Sequence, residues 1–452
     1  MLILLLVVTL TIILIWGYIE NDQDLSSPAV LFTAPFLVAT ICAMAYSDKW
    51  SLNMHINTFL VMASGCLIFS FTCVIIHKSV GNKRKNAACK HYRKDSKPIN
   101  VSAWRVLSII LLQMFSLFVV IKDMRATVGK YGVSGKLTVV MYWYREWHMF
   151  KDRDVSISSL SSNLRLFSIA ASYIWIYILC NNIVCEKKGK NSILMLLSIA
   201  LGMINGVILG ARGDAIQIIV ATYVMFVVLK RKHNGWKPNI KIEHIILIGI
   251  ALFGIMYGFK ATGNLLGRNS VVQYNSTAID EAAKYLGAEI KNLDIYLEKP
   301  FRNVAPYMRG SQTFGYIMEW INHKANLGWV IEQDLPFQKI NSLSLGNVYT
   351  VFYPFIYDFG YLGMGILTFV MAALSQLIYE TVLIYRKNEI ISIAIIINSY
   401  VLFLITFSFF GERFFSYILN TSFIKYIVIW EMLTWFVTVE IFKTRKKCFV
   451  WN

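Results

Sequence analysis

Apolar runs of about bilayer length recur along the whole 452-residue chain, and they constrain its fold more than any other feature. A helix needs roughly 20 mostly apolar residues to cross a bilayer. The charged residues, 15% of the chain, fall in blocks between these runs, which is typical of a helical bundle and not of a β-barrel. The sequence therefore predicts an all-α polytopic integral membrane protein with about eleven transmembrane helices. The candidate spans are residues 2–18, 28–46, 56–76, 104–121, 164–184, 192–209, 215–229, 245–259, 351–378, 390–410 and 419–442.

Basic loops between the spans predict the orientation of the chain. Lys83-Arg84-Lys85, Lys230-Arg231-Lys232 and residues 443–447 alternate onto one side, which the positive-inside rule makes cytoplasmic. The net charge of +18 is explained by these loops and does not require a nucleic-acid partner. We expect three parts: membrane helices in residues 1–260, a large and partly helical external segment in 261–350, and C-terminal membrane helices in 351–452.

A charged turn, Gly210-Ala211-Arg212-Gly213-Asp214, separates two of the apolar runs and predicts a helical hairpin. An arginine at such a turn either anchors the helix end among lipid headgroups or binds a phosphate or carboxylate. Asp214 is expected to pair with a cation or to cap the following helix. Asn205 lies seven residues before Arg212, on the same helical face, where it could line a polar cavity.

The other polar residues expected on the external side form two classes. Clustered arginines suit the binding of a diphosphate, and the alternative for each single residue is that it belongs to a solvated basic loop. Asp358 and Glu412 lie at the external ends of apolar spans, where each is either a general base or the partner of an arginine. The basic residues concerned are Arg268, Arg302, Arg309 and Arg413, with Lys260 and Lys291 nearby.

Apolar spacing over residues 277–297 predicts an amphipathic helix that lies on the membrane surface or packs on the bundle. Thr277 and Asp280 are placed to cap its start, and Pro300 ends it. A further short helix is expected over 313–322. The aromatic run 141–148 is typical of an interfacial belt and, alternatively, of a sugar-stacking surface.

Motifs for nucleotide or metal chemistry are weak or missing. Asp152-Arg153-Asp154 has the D-x-D spacing of a metal site, but three residues recur by chance. The sequence contains no P-loop, no H-E-x-x-H and no G-x-S-x-G. No metal and no cofactor is predicted.

Three stretches together resemble the Wzy-type polymerases, which join the oligosaccharide repeat units of O-antigens and capsules. They are Gly210-Ala211-Arg212-Gly213, the helical stretch 285–297, and Asn347-Val348-Tyr349-Thr350 leading to Asp358-Phe359-Gly360. The resemblance in sequence extends over roughly residues 196–363, and the resemblance in organisation covers most of the chain. It implies a GT-C-like helical bundle in the bacterial inner membrane, with the active site facing outward.

The activity implied by the resemblance is inverting glycosyl transfer between undecaprenyl-diphosphate-linked oligosaccharides, without a cofactor. Arg212 is the implied diphosphate clamp, and Asp358 or Glu412 the implied base. Membrane lipids are expected partners, and a chain-length regulator is a candidate partner. The remaining candidate substrate-binding residues are Arg413, Arg268, Arg302, Arg309, Tyr349 and Asn347.

Two other functions fit a membrane bundle with external arginines. An O-antigen ligase should carry a histidine beside the arginines, and His323 is the histidine that the large external segment offers. A flippase or transporter for lipid-linked sugars should show two related halves. The sequence shows no such symmetry, and the long external segment is unexplained by transport.

Overall fold

The structure is a computed structural model that describes residues 1–81, 98–150, 153, 155–186, 189–236, 278–301, 308–331, 333–340, 343–382 and 389–449. Most of these residues are helical, and one short antiparallel hairpin lies among them. The helices are α1 (Leu2–Glu20), α2 (Pro28–Ala45), α3 (Ile56–Ile76), α4 (Ala103–Gly129), α5 (Leu137–Phe150), α6 (Ser159–Val184), α7 (Ser192–Val207), α8 (Gly213–His233), α9 (Ala278–Glu298), α10 (Ser311–Ala325), α11 (Phe352–Val382), α12 (Ile393–Thr406), α13 (Phe414–Ile418) and α14 (Thr421–Phe449). The hairpin strands are β1 (Gln338–Ile340) and β2 (Leu343–Gly346).

Eight helices of the described residues are long and apolar enough to cross a bilayer, namely α1, α2, α3, α4, α6, α8, α11 and α14. Two predicted spans correspond to shorter apolar helices, α7 and the stretch Ile393–Phe409. The predicted span 245–259 lies outside the described residues. The chain is thus a mostly helical, polytopic membrane protein, as the sequence predicts.

Contacts group the chain into two compact units, and each is built from separate stretches. The first unit contains Met1–His91, Ser276–Tyr385 and Tyr400–Phe423. The second contains Tyr92–Asn275, Arg386–Ser399 and Ile424–Asn452. The units therefore combine residues from all three consecutive parts that the sequence suggests.

The core of the first unit is formed by α1, α2, α3 and α11, which pack side by side. Phe32 of α2 stacks on Phe69 of α3 with ring centroids 3.9 Å apart. The Phe352 ring at the start of α11 lies 5.3 Å from that of Phe36. Phe352 also covers Gly65 so closely that a Cβ at residue 65 would overlap its ring. A glycine in α3 is therefore what allows α11 to approach.

Helix α9 packs on the helical bundle of the first unit. Its amphipathic pattern allowed either this placement or one on the membrane surface. A Cβ at Gly287 would lie only 2.9 Å from the Ala43 backbone nitrogen of α2. Near its start, the Asp280 carboxylate accepts a hydrogen bond from Tyr46 and forms an ion pair with Lys49, both at 3.1 Å. The helix ends at Glu298, two residues before Pro300, whereas its predicted cap Thr277 lies outside the described residues.

The second unit contains α4, α6, α7 and α8, with α5 packed on α4. A buried polar network joins its helices: Ser198 donates to the Gln113 side chain at 2.6 Å, and Ser116 donates to Asn205 at 2.9 Å. The Trp430 indole of α14 donates to the Ala170 carbonyl at 3.2 Å. Neighbouring helices thus satisfy polar groups that lipid cannot.

Helix α11 is interrupted at Gly360, where φ is +69° and ψ is −171°. This conformation is one that glycine adopts readily and other residues adopt at a cost. The first turns, which carry Asp358, therefore form a short helix of their own before the long apolar part that follows.

We predict that Gly65→Ala destabilises the protein by about 1–3 kcal/mol, because the new methyl group displaces the Phe352 ring. Thermal unfolding of the purified protein measures the effect. Gly129→Ala is the matched control, since a Cβ at this helix end meets nothing within 4 Å. Equal unfolding temperatures for the two variants would show that α3 and α11 do not approach as described.

Candidate functional site

The turn between α12 and α13 places a carboxylate beside a guanidinium in the first unit. Glu412 accepts hydrogen bonds from the backbone N–H groups of Phe415, at 2.6 Å, and Ser416, at 3.2 Å, and from the Ser416 hydroxyl. It therefore caps the start of α13, where free N–H groups favour a negative charge. The side chain stays partly exposed. A carboxylate has about four acceptor positions, so one remains for a ligand.

Burial raises the pKa of Glu412 to about 7, and its hydrogen bonds from Ser416 and Phe415 and the neighbouring Arg413 oppose that rise. The group consequently changes its charge near neutral pH, which is the range in which a general base works best.

Arg413 is packed on aromatic rings. Its guanidinium lies 5.9 Å from the ring centroid of Phe403, 5.6 Å from Phe407 and 5.8 Å from Phe410. These contacts are in the range of cation–π attraction and keep the group near the helix ends without consuming its hydrogen-bond donors. The side chain is partly exposed, so a bidentate anion can reach it. Tyr316 of α10, 47% exposed, lies close enough to interact with both charges of the turn.

Asp358 is almost completely buried, at 2% exposure, and is bonded to the start of α10. It accepts a hydrogen bond from the Thr313 backbone N–H at 2.8 Å and from the backbone N–H groups of Gly310 and Gln312. This carboxylate thus satisfies the N-terminal amides of α10, to which it is not adjacent in sequence. The geometry gives Asp358 a positioning role, since it joins α10 to α11 next to Gly360. If Asp358 acted as the predicted base, the proton would compete with these hydrogen bonds for the same carboxylate oxygens.

Tyr349 and Asn347 follow the hairpin and differ in exposure. Tyr349 is 2% exposed, donates to the Pro336 carbonyl at 3.0 Å and accepts from the Gln338 amide at 3.0 Å. Burial raises the pKa of Tyr349 to about 12, so its phenol is neutral. Tyr349 holds the hairpin in place, whereas Asn347 remains partly exposed and available to a ligand.

Tyr349, Tyr353 and Tyr357 form a tyrosine stack at the start of α11. The Tyr349 ring lies 4.2 Å from that of Tyr353, whose hydroxyl donates to the Asp334 carbonyl at 2.6 Å. Tyr357 donates to the Asp334 carboxylate at 2.8 Å. Asp334 was not predicted as a site residue, because nothing in its own stretch of sequence indicates that Tyr349, Tyr353 and Tyr357 meet this loop.

Arg212 belongs to the second unit, where it is the residue before α8 and is partly exposed. The preceding Gly210 has φ +81°, and a Cβ there would lie 2.9 Å from the Arg145 Cβ and 3.0 Å from the Met141 carbonyl. The predicted hairpin turn is therefore present, and α5 lies against it so closely that glycine is required at residue 210.

Arg165, which the sequence analysis did not single out, is the partner of Asp214. The two side chains form an ion pair, and Arg165 also donates to the carbonyls of Asn205, at 2.9 Å, and Gly206, at 3.0 Å. It caps the C-terminus of α7, where a cation is favourable. An arginine in the first turns of an apolar span was the signal for this role. Asn205 is fully buried in the same network, so its amide serves packing and not the predicted cavity.

The aromatic run of α5 faces the core of the second unit more than it faces solvent. Met141, Tyr144 and Trp147 are buried and pack against α4. The Arg153 guanidinium lies 4.7 Å from the rings of both Trp147 and Tyr131. Asp152 and Asp154 lie outside the described residues, within which no group of three His, Cys, Asp or Glu side chains could hold a metal ion.

The remaining predicted basic residues within the described part of the chain lie on different elements. Arg309 is exposed in the turn before α10, and His323 is exposed on α10. Lys291 is buried in α9, where it donates to the Ser51 carbonyl at 3.0 Å and lies 3.9 Å from the Asp294 carboxylate. Arg268, Arg302 and Lys260 lie outside the described residues. Within the first unit the structure therefore brings together Glu412, Arg413 and, through α10, Asp358.

Comparison of the chain with protein-family models, with curated proteins and with solved structures gives no match. The functional proposal consequently rests on the residues of this chain.

We predict that Asp358→Ala destabilises the start of α10 by about 1 kcal/mol, because three backbone N–H groups lose their acceptor. Hydrogen exchange of residues 311–316 is expected to accelerate, while exchange in α11 beyond Gly360 changes little. Asp48→Ala, at an exposed aspartate, is the control. Unchanged protection of residues 311–316 would contradict the capping role.

Proposed function

We propose that this chain is a lipid-linked oligosaccharide polymerase of the Wzy type, working at the outer face of the bacterial inner membrane. The observation that carries the proposal is the Glu412–Arg413 turn: a carboxylate with a pKa near neutrality beside a guanidinium, both partly exposed where apolar helices end. The resemblance of residues 347–360 to these polymerases supports it, because Asp358 in this stretch bonds to the start of α10. The eleven-span, GT-C-like bundle belongs to the proposal as well.

The proposed reaction joins two lipid-linked glycans. The terminal hydroxyl oxygen of the incoming repeat unit attacks the anomeric carbon of the growing chain and inverts its configuration. The bond from that carbon to the phosphate oxygen breaks, and undecaprenyl diphosphate leaves with the electron pair. Glu412 takes the hydroxyl proton, and Arg413 stabilises the charge that develops on the departing diphosphate. Because the donor sugar is already activated on its lipid, the step needs no nucleotide.

Other residues have supporting roles in this proposal. Asp358 positions α10, which carries the exposed Tyr316 beside the Glu412–Arg413 turn. An aromatic ring at this place suits stacking against a sugar. Arg212 remains a proposed diphosphate clamp at the hairpin turn of the second unit.

Polymerisation is tested with lipid-linked oligosaccharides extracted from a strain that lacks the protein. Purified full-length protein in lipid nanodiscs should convert them into a ladder of longer chains, resolved by gel electrophoresis. In the deletion strain itself, surface cores should carry a single repeat unit. Long chains that accumulate on undecaprenyl diphosphate beneath a bare surface would identify a ligase, and single units trapped on the cytoplasmic side a flippase.

We predict that Arg413→Ala lowers the rate of ladder formation at least about 100-fold, as removal of one transition-state donor does in other enzymes. Arg413→Lys should recover only part of the rate, because an ammonium group cannot form a bidentate pair with a phosphate. Arg212→Ala is measured in the same assay. Arg125→Ala, at an exposed arginine near the end of α4, is the control with an unchanged rate. If Arg413→Ala polymerises normally at normal protein level, the leaving-group role is wrong.

We predict that the polymerisation rate rises with pH, is half-maximal near pH 7 and levels off above it, because the base must be the unprotonated Glu412 carboxylate. The stability change has the opposite sign. A pKa raised from 4.5 to about 7 stabilises the fold fully below pH 4.5, and this stabilisation is lost as the pH rises through 7. Because the contribution of Glu412 to stability falls with rising pH, a polymerisation rate that rises with pH cannot be explained by this contribution.

Glu412→Gln supplies the comparison for this profile, because it keeps the shape of the side chain and removes the titration. Its rate should be low. It should not show the rise between pH 6 and pH 8 that the wild type shows. A profile identical to that of the wild type would remove Glu412 from the reaction.

A further inference from the structure

Helix α9 carries two buried carboxylates, and only one of them has hydrogen-bond partners among the described residues. Asp294, fully buried, accepts hydrogen bonds from the His55 backbone N–H at 2.9 Å and from the Thr58 hydroxyl at 2.6 Å. The His55 ring and the Lys291 ammonium lie 3.1 and 3.9 Å from the same carboxylate. Its charge is thus balanced by donors from α3 and from its own helix, as a buried carboxylate requires.

Glu289, one and a half turns earlier, is also fully buried, and neither of its carboxylate oxygens has a hydrogen-bond partner among the described residues. Cys42 is the titratable group that faces it from α2. An unpaired buried carboxylate costs several kcal/mol, so a group of this kind either keeps a proton or binds a cation. Burial accordingly raises the pKa of Glu289 well above its ordinary value.

Two further buried oxygens, one on α9 and one in the stretch that α9 contacts, also lack partners in the described part of the chain. Asn292 is on the same face of α9, one turn later, and its amide nitrogen donates to the Val348 carbonyl at 2.8 Å. That bond leaves the Asn292 Oδ1 atom without a donor. Thr350, two residues after Val348, is fully buried, and its Oγ1 atom is likewise unbonded. Glu289, Asn292 and Thr350 together therefore carry four buried oxygen atoms without partners among the described residues.

We propose that Glu289, Asn292 and Thr350 bind a monovalent cation, Na⁺, between α9 and the approach to α11. Carboxylate, amide and hydroxyl oxygens are the ligands that hard cations take in proteins. A single carboxylate matches one positive charge, whereas Ca²⁺ sites recruit several carboxylates or bidentate groups. The Asn292 bond to Val348 holds α9 against the stretch between β2 and α11. An ion bound by Glu289, Asn292 and Thr350 would therefore link α9 to this stretch. In membrane transporters, Na⁺ is coordinated at places where the backbone leaves the helical conformation.

The binding of Na⁺ predicts a specific stabilisation of the folded protein. Full-length protein in detergent is unfolded thermally while sodium chloride replaces choline chloride at constant ionic strength. A ligand that binds only the folded state raises the folded-to-unfolded ratio about tenfold for each tenfold increase in its concentration above Kd. The unfolding midpoint of the wild type should therefore rise with sodium. Because stability is the readout, the result is independent of the polymerisation assay.

Glu289→Gln should abolish the sodium dependence of the unfolding midpoint. In choline chloride it should unfold at a temperature no lower than that of the wild type, because it removes the buried charge and keeps the shape of the side chain. Glu298→Gln, at an exposed carboxyl on the same helix, should keep the full dependence. Thr350→Ala retains the carboxylate and deletes one ligand oxygen, so it should shift the response to higher sodium. This variant also serves if Glu289→Gln cannot be purified in folded form.

Three results would overturn the proposal. The first is a wild-type midpoint that does not respond to sodium, which would mean that the folded protein binds no Na⁺. The second is a midpoint that varies with pH alone, since Glu289 would then hold only a proton. The third is an equal sodium response in Glu289→Gln and the wild type.

Discussion

Helix ends next to an apolar environment expose backbone groups that water cannot satisfy, and the structure depends on side chains that complete these ends. Asp358 completes the start of α10 and Glu412 the start of α13. Arg165 completes the end of α7 and is itself balanced by Asp214. The charged residues that a membrane protein can least easily bury are thus used where backbone groups most need partners.

A carboxylate can cap a helix and still face a ligand, and the two capping carboxylates of the first unit differ in their exposure. Asp358 is buried, and its described hydrogen bonds join α10 to α11. Glu412 is partly exposed and lies beside a guanidinium held by aromatic rings. Of the two carboxylates that the sequence marks as bases, the second is therefore better placed for proton transfer. The turn that carries it was visible in the sequence as a charged break between apolar spans.

The sequence was informative wherever one stretch determines its own structure. The apolar runs predicted the long helices, the glycines around Arg212 predicted the hairpin turn, and apolar spacing predicted α9 up to Pro300. It was uninformative wherever two distant stretches meet. The bond from Asp358 to Thr313 joins residues 45 positions apart, and that from Asp294 to Thr58 joins residues 236 apart. Periodicity carries no information on such pairs, so Arg165, Asp334 and the tyrosine stack were missed. The roles of Arg212, Arg268 and Arg302 stay predictions.

The discontinuous first unit has a consequence for how the protein is made. Helices α1 to α3 leave the ribosome long before α9, whose Asp294 binds His55 across 239 residues. At about 5–20 residues per second, more than ten seconds separate the synthesis of the two partners. During that time α4 to α8 are synthesised, while α9 is not yet present to cover the face of α2 that receives Gly287. Biogenesis therefore places its own demand on this chain: the first three helices have to persist as an incomplete unit until α9 has been made.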